Sequence, residues 1–296
     1  MEGRETLKAH IALLGCNIVW ACDYPFYNLL LGRYIEPLAM VTASLVVAAL
    51  LSWIPRLWES PQTIERSDWG IIFIAALLMG VARKVMMMFG LSRTSPIDGA
   101  IIATIVPLLV LLVSVIARID RLTARKTVGL IIGMAAAVAV IVTSNTPTHD
   151  KSGLWGNVMM ICSATVTALY MVFFKRLVAK YRITTLLRAM YTISAIVMFP
   201  IGIESVVKSD FTGMNTHLWA AAAFVLIVPT YLPNLLLNYS LRFVEPTVSS
   251  IYTYIQPVLA VSLSVAMGLD VLHLDTALFA VVLFAGVWMV ISSYRR

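Results

Sequence analysis

Charged residues are scarce in this sequence. Asp, Glu, Lys and Arg make up 12% of its 296 residues, whereas an average soluble domain has about 25%. The three cysteines, Cys16, Cys22 and Cys162, are odd in number and lack a CxxC spacing, which supports neither a disulfide framework nor a metal site. The four histidines show no metal or catalytic spacing either. We therefore expect no catalytic residues, no metal and no cofactor, and the chain has few means of covering a water-facing surface.

Apolar sequence is abundant instead. Seven uncharged stretches are about 19 residues long or longer, enough to cross a bilayer as a helix: Pro37–Pro55, Gly99–Ala117, Thr127–His149, Ser152–Phe174, His217–Leu241, Thr247–Leu269 and Thr276–Tyr294. Three more apolar segments are interrupted by charge: Ala9–Leu31, Trp69–Ser92 and Thr184–Val207. Isolated strands cannot cross lipid with their backbone unpaired. The sequence therefore predicts an all-α integral membrane protein with ten transmembrane helices.

The basic residues set the expected orientation. With both termini in the cytoplasm, fifteen basic residues lie on the cytoplasmic side and four lie outside, which follows the positive-inside rule. The four outside are Arg33, Arg93, Lys151 and Lys208. We predict a multi-pass protein of the bacterial inner (cell) membrane, without a cleavable signal peptide. The net charge of +7 then reflects the lipid bilayer and not a nucleic-acid partner.

The sequence also repeats itself. Gly80–Pro107 returns 150 residues later as Thr230–Pro257, where Pro96 falls on Pro246 and Pro107 on Pro257, and further on Asp120 falls on Asp270. The basic loops change sides between the halves, so we predict two inverted five-helix repeats, 1–147 and 148–296. Pro107 and Pro257 lie within spans and should each kink a helix. Such kinks either help helices wrap one another or free carbonyl groups to line a cavity.

Two runs in these repeats resemble a known family. Thr94–Thr123 and Val244–Leu272 resemble the EamA repeat of the drug/metabolite transporter superfamily, in which a helix with a central proline leads to an acidic turn. Leu13–Asn28 resembles the family's first helix, with Trp20 at its usual tryptophan. The resemblance implies a ten-helix inverted-repeat transporter of small metabolites, often acting outward. Its central cavity would be formed largely by helices other than the fifth and tenth.

Charges inside the spans are the main candidates for a site. Arg83 and Lys84 lie within the third span and Asp23 within the first, and a charge in the bilayer is costly unless it is hydrated or paired. Adjacent helical residues point about 100° apart, so Arg83 and Lys84 cannot face one site equally. Two interpretations remain open. Asp23 forms a structural salt bridge with one of them, or a basic residue binds an anionic substrate group while Asp23 takes a proton.

Uncharged polar and aromatic residues complete the substrate-binding candidates. They lie in four different spans: Trp20, Tyr24, Tyr170, Asn234 and Tyr254. Such side chains line cavities for small polar or aromatic solutes, but they also form hydrogen bonds between membrane helices. Tyr252 and Tyr254 differ by two positions, so only one of them can face a cavity.

The sequence thus predicts a secondary transporter and not an enzyme. We expect alternating access, outward movement of a small metabolite with a carboxylate or other anionic group, such as an amino acid, and protons as a candidate coupling ion. A channel-like facilitator is the alternative. A polytopic membrane enzyme is a weaker one, because it would need catalytic groups clustered at one membrane face.

Overall fold

The chain folds as a bundle of helices. A computed structural model describes residues 2–60, 62–121, 123–143, 153–209, 211–269 and 274–292. The α-helices, in chain order, are α1 (Glu2–Leu30), α2 (Pro37–Trp53), α3 (Trp69–Ala75), α4 (Arg83–Leu91), α5 (Pro96–Ala103), α6 (Val106–Ile116), α7 (Ala124–Thr143), α8 (Gly153–Phe173), α9 (Lys175–Lys180), α10 (Ile183–Lys208), α11 (Thr216–Ser240), α12 (Pro246–Ile251), α13 (Ile255–Ala266) and α14 (Leu274–Ser292). These described residues contain no β-strand.

Seven helical segments in the described chain are long and apolar enough to cross a membrane: Pro37–Leu57, Arg66–Leu91, Pro96–Ile116, Gly153–Phe173, Ile183–Lys208, Thr216–Ser240 and Pro246–Ala266. Three further long helices, α1, α7 and α14, occupy the other apolar segments of the sequence. The short helix α9 was not predicted, because a six-residue basic stretch carries no apolar pattern. The all-helical prediction is confirmed over the described residues.

Two segments are broken just before a proline. Residues 104–105 separate α5 from α6, and a 3₁₀ turn, Tyr252–Tyr254, separates α12 from α13. Pro107 and Pro257 follow these breaks directly. Proline has no N–H and its ring collides with the carbonyl four residues earlier, which disfavours a regular helix at both positions.

The ends of α6 and α13 share a second feature. Arg118 has φ 58° and Gly268 has φ 65°, both in the left-handed region. In each case the following amide closes the turn on a serine carbonyl, at 2.8 Å on Ser114 and 3.0 Å on Ser264. This is the cap that commonly ends a helix, and glycine adopts it more readily than arginine.

The helices pack in a recurring pattern. α1 lies against α11 and α13, while α8 lies against α4 and α6; α2 packs on α10, and α7 on α14. Glycine permits the closest approach in the last pair, where a Cβ on Gly286 would lie 2.6 Å from the Gly133 nitrogen. Gly202 of α10 similarly approaches the Thr42 side chain of α2. Small residues let membrane helices come together in this way.

A polar link joins the loop before α3 to the segment between α9 and α10. Lys180 contacts Glu65 and Asp68, each at 2.7 Å, and the Tyr181 hydroxyl donates to Asp68 at 2.5 Å. Hydrogen bonds to Asp68 and then Glu65 raise the pKa of Lys180 above its ordinary value. Arg182 adds a bond to the Ser60 carbonyl at 3.0 Å.

Candidate functional site

Arg83 faces a cavity in the interior of the bundle. The cavity has a volume of about 50 Å³, and α1, α4, α6, α8 and α13 all contribute to its wall. The Arg83 guanidinium carbon lies 5.8 Å from the centre of the Trp20 ring, within range of a cation–π interaction. In the described part of the chain, no carboxylate lies within 4.0 Å of Arg83. Its charge is therefore available to an anionic group.

A wide helical turn positions Arg83. The segment Ala76–Ala82 is a π-helix that joins α3 to α4, and such turns occur often at functional sites. The Ser194 hydroxyl of α10 donates to the Ala76 carbonyl at 3.0 Å, and Gly80 leaves room for the Ser194 side chain. Arg83 itself reaches back to the Met79 carbonyl, with its Nε at 3.4 Å.

The cavity wall is mostly apolar, with a few polar groups. Tyr24 lines it and donates to the Gln256 side-chain oxygen at 3.1 Å, while the Gln256 amide donates to Asn17 at 2.7 Å. The remaining polar wall residues are Ser163, Thr167 and Thr253. This volume of about 50 Å³ is far below the roughly 300–1,000 Å³ of a typical ligand pocket, so the cavity must widen to admit a metabolite.

Lys84 points elsewhere, as the 100° spacing of adjacent residues requires. It is 5% exposed, and its ammonium donates to the Tyr27 hydroxyl at 2.9 Å. Tyr27 in turn donates to the Val225 carbonyl of α11 at 3.3 Å. That carbonyl lacks its usual helical donor because Pro229 has no N–H. Lys84 is thus held against both α1 and α11, outside the Arg83 cavity.

Asp23 is buried beside this arrangement. It is 2% exposed and precedes Tyr27 by four residues, so both lie on the same side of α1. One of its carboxylate oxygens, Oδ1, has no hydrogen-bond partner. None of the described basic side chains lies within 4.0 Å of the carboxylate. The structure holds Lys84 on Tyr27 and not on Asp23, although the charges of Lys84 and Arg83 both act on this carboxylate.

Tyr170 and Asn234 line a second, smaller cavity. Its volume is about 10 Å³, and its wall includes Gly80, Tyr191 and Asn238. The Tyr170 hydroxyl donates to the Asn238 side chain at 2.7 Å, and the Asn238 amide donates to the Asn234 carbonyl at 2.7 Å. These bonds fill the space with protein groups, and neither Tyr170 nor Asn234 lines the Arg83 cavity.

Tyr254 lines neither of these two cavities. Its ring meets Phe284 of α14 edge to face, with centroids 5.4 Å apart. Tyr252 faces differently, and its hydroxyl lies 2.8 Å from His10 Nδ1. The residue between them, Thr253, faces the Arg83 cavity. The 3₁₀ turn sets these directions, and the sequence pattern alone did not reveal it.

Tyr27, Gln256 and Ser163 complete the neighbourhood of the candidate residues. Sequence reasoning gave Tyr27 no role, although its spacing of four from Asp23 placed it on the same side of α1. Ser163 donates to the Arg83 carbonyl at 3.1 Å. Over the part of the chain that the structure describes, no three His, Cys, Asp or Glu residues are grouped as metal ligands.

Comparisons with known proteins agree on the class of protein. The chain is 23% identical to the uncharacterized transporter YyaM of Bacillus subtilis (strain 168) over 269 residues, which cover 88% of this chain and 87% of YyaM. It is 20% identical over 292 residues to an uncharacterized transporter of Archaeoglobus fulgidus, covering 98% of this chain and 99% of that protein.

Solved structures and family models extend this likeness. One crystal structure matches with a TM-score of 0.67 at 15% identity, over 97% of this chain and 98% of the other, and so shares the fold. The model of the EamA-like transporter family matches twice, at residues 7–142 and 154–292. The two matches together take in most of the sequence. The chain is a multi-pass membrane protein and belongs to the EamA-like transporter family, within the drug/metabolite transporter superfamily.

Proposed function

We propose that this chain is a secondary transporter that exports a small metabolite carrying a carboxylate or another anionic group. The observation that carries the proposal is Arg83, a permanent cation that faces an internal cavity and has no carboxylate of the described residues within 4.0 Å. A guanidinium grips a carboxylate through two parallel hydrogen bonds. It also keeps its charge in a poorly hydrated site, which a lysine does not always do.

The proposed architecture is ten spans in two inverted repeats, 1–147 and 148–296, with both termini in the cytoplasm of a bacterial cell and the bundle in the inner membrane. The paired packing of α1 with α11 and of α8 with α4 supports it. So do the two separate family matches and the matching helix caps at Arg118 and Gly268. The basic residues of the sequence favour this orientation.

Alternating access is the proposed mechanism. In the described conformation the cavity around Arg83 is too small for a metabolite. The two halves must therefore move relative to each other around Arg83, opening the cavity to one side at a time. Trp20 and Tyr24 would lie beside the bound substrate, while Tyr170 and Asn234 would remain in the packing next to the cavity.

Protons are the proposed coupling ions. Asp23 is buried with an unpartnered oxygen and lies close enough to feel the charge of Lys84. A carboxylate in such a place is stabilised either by a proton or by a nearby cation. If Lys84 moved from Tyr27 to Asp23, its positive charge would replace the proton on the carboxylate. Its return to Tyr27 would let Asp23 take up a proton again. Transport driven by a pH gradient is the expected consequence.

The test is counterflow in liposomes, after a thermal-shift screen of amino acids and other carboxylates identifies a ligand. We expect Arg83→Gln to weaken binding of that ligand by about a hundredfold, because one charged partner is lost, while the protein still inserts and folds. Arg33→Gln is the matched control, since Arg33 stacks on Tyr34 at 5.3 Å outside the cavity. Unchanged transport by Arg83→Gln would refute the site.

The same assay separates the other functions. A carrier exchanges external labelled substrate against internal unlabelled substrate, which a channel-like facilitator does not. Mass analysis of the recovered compound tests for an enzyme, which would return a chemically altered product. Dissipating the pH gradient should abolish net export but not exchange.

A further inference from the structure

A second site lies on the outer surface of the bundle. A cavity of about 430 Å³ is formed by the end of α2, the loop before α3, the first turn of α3 and one side of α10. This volume is much larger than that around Arg83. The residues that matter below are Trp53, Trp69, Arg188, Ile193 and Ile196. We call this space the α2–α10 crevice.

The crevice opens toward lipid and not toward the interior of the protein. Ile196 is 68% exposed, Trp53 is 51% exposed and Trp69 is 44% exposed. In a membrane protein, large apolar side chains that are exposed on the outside of the bundle contact lipid chains. Tryptophans at the ends of spans mark the level of the lipid headgroups. An occupant of the crevice therefore comes from the membrane.

A single cation lies in this apolar crevice. Arg188 is half-buried, and its guanidinium carbon lies 5.1 Å from the centre of the Trp53 ring. Trp53 is itself fixed by a hydrogen bond from its indole nitrogen to Thr192 at 3.1 Å. No carboxylate of the described residues comes within 4.0 Å of Arg188. Its positive charge has an aromatic neighbour but no directly paired carboxylate among the described residues.

The order of residues along α10 separates charge from apolar surface. Helical side chains lean toward the N-terminus of their helix, so Arg188 leans toward Arg182 and the water-facing end. Ile193 and Ile196 follow five and eight residues later, about 7 and 12 Å deeper at 1.5 Å per residue. The crevice therefore has a positive charge at its water-facing end and an apolar wall below it. This arrangement matches a lipid with a charged headgroup and an apolar chain.

We propose that the α2–α10 crevice binds one anionic phospholipid. Its headgroup phosphate pairs with Arg188, because guanidinium binds phosphate through parallel hydrogen bonds. One acyl chain lies along Ile193 and Ile196 and against Trp69. A free phosphate would leave this apolar wall without an occupant, so the lipid is favoured over the inorganic anion. The site is separate from the Arg83 cavity and does not depend on the transported substrate.

The test measures the melting temperature of the purified protein in detergent with added phosphatidylglycerol or phosphatidylcholine. We expect phosphatidylglycerol to raise the melting temperature more than phosphatidylcholine in the wild type. Arg188→Gln should remove this difference and weaken retention of phosphatidylglycerol in native mass spectrometry by about tenfold. Because each variant is compared with itself in two lipids, general destabilisation cancels.

Arg33→Gln is the matched control, because Arg33 also stacks on an aromatic ring but lies exposed and has no crevice. It should keep the wild-type difference between the lipids, and Arg188→Lys should keep part of it. An equal difference in Arg188→Gln and wild type overturns the proposal. Stabilisation by inorganic phosphate alone, equal to that by phosphatidylglycerol, overturns the lipid assignment. The lipid measurements do not depend on transport, so loss of transport in Arg83→Gln would neither support nor overturn the lipid proposal.

Discussion

The segment Gly80–Arg118 and its counterpart Thr230–Gly268 share a helix break and a cap but carry different charges. Both break a helix before a proline and end on a left-handed cap closed by a serine carbonyl. The first carries Arg83 and Lys84, whereas the same places in the second hold Pro233 and Asn234. The helix breaks and caps are therefore common to both segments, while charged residues within a membrane span occur only in the first.

The two interior cavities show the same difference. The one at Arg83 has about 50 Å³ and a charged wall, and the one at Asn234 has about 10 Å³ and is filled by hydrogen-bonded Tyr170 and Asn238. A buried charge requires water or a counter-charge, whereas amides and phenols satisfy one another directly. The cavity at Arg83 is thus suited to admitting a solute and the cavity at Asn234 to sealing the bundle.

The largest expected difference lies between Lys84 and Asn234. Lys84→Met removes a buried cation whose charge acts on Asp23, so we expect a loss of about 3 kcal/mol in unfolding free energy. Asn234→Leu removes one neutral hydrogen bond and should cost less than about 1 kcal/mol. Unfolding in mixed micelles measures both changes.

The double variant Asp23→Asn, Lys84→Met is the control for this explanation. It removes both charges, so it should be more stable than Lys84→Met alone. If adding Asp23→Asn brings no recovery, Asp23 and Lys84 do not compensate each other.

A smaller difference is expected between two buried tyrosines that both donate to carbonyls of α11. Tyr27 donates to Val225 and also accepts from Lys84, while Tyr191 donates to Thr230 at 2.9 Å. Tyr27→Phe removes a hydrogen bond from a charged group and should cost about 2 kcal/mol. Tyr191→Phe should cost about 0.6 kcal/mol. If both variants lost the same unfolding free energy in this assay, the hydrogen bond between Lys84 and Tyr27 would contribute little to stability.

The smallest expected effect concerns the two caps. Arg118→Gly relieves a left-handed arginine and should raise stability by about 1 kcal/mol, whereas Gly268→Ala should lower it by about the same amount. Melting temperatures of the two variants should therefore move in opposite directions. If the melting temperatures of both variants shifted in the same direction, the two caps would differ in more than the side chain of the left-handed residue.

The sequence predicted the helical segments well, because apolar length and proline positions are local properties. It also predicted that Arg83 and Lys84 face different ways. It did not predict the contacts between side chains of different helices. The Tyr27 hydroxyl, for example, donates to the Val225 carbonyl of α11. Pro229 leaves this carbonyl free, about 200 positions away in the chain. Pro229 and Pro233 lie inside α11, which runs unbroken through both. Side-chain donors from Tyr27 and Thr230 satisfy the Val225 carbonyl there.

The π-helical turn Ala76–Ala82 was also absent from the sequence prediction, because it depends on Ser194 of a distant helix. A π turn takes in about one residue more than an α turn, so every later side chain on that helix is set back by one position. If the wide turn lay beyond Lys84 instead, Ala82 would face the cavity and Arg83 would take the place of Lys84 beside Tyr27. The location of one extra residue thus decides whether the cavity wall is cationic or neutral.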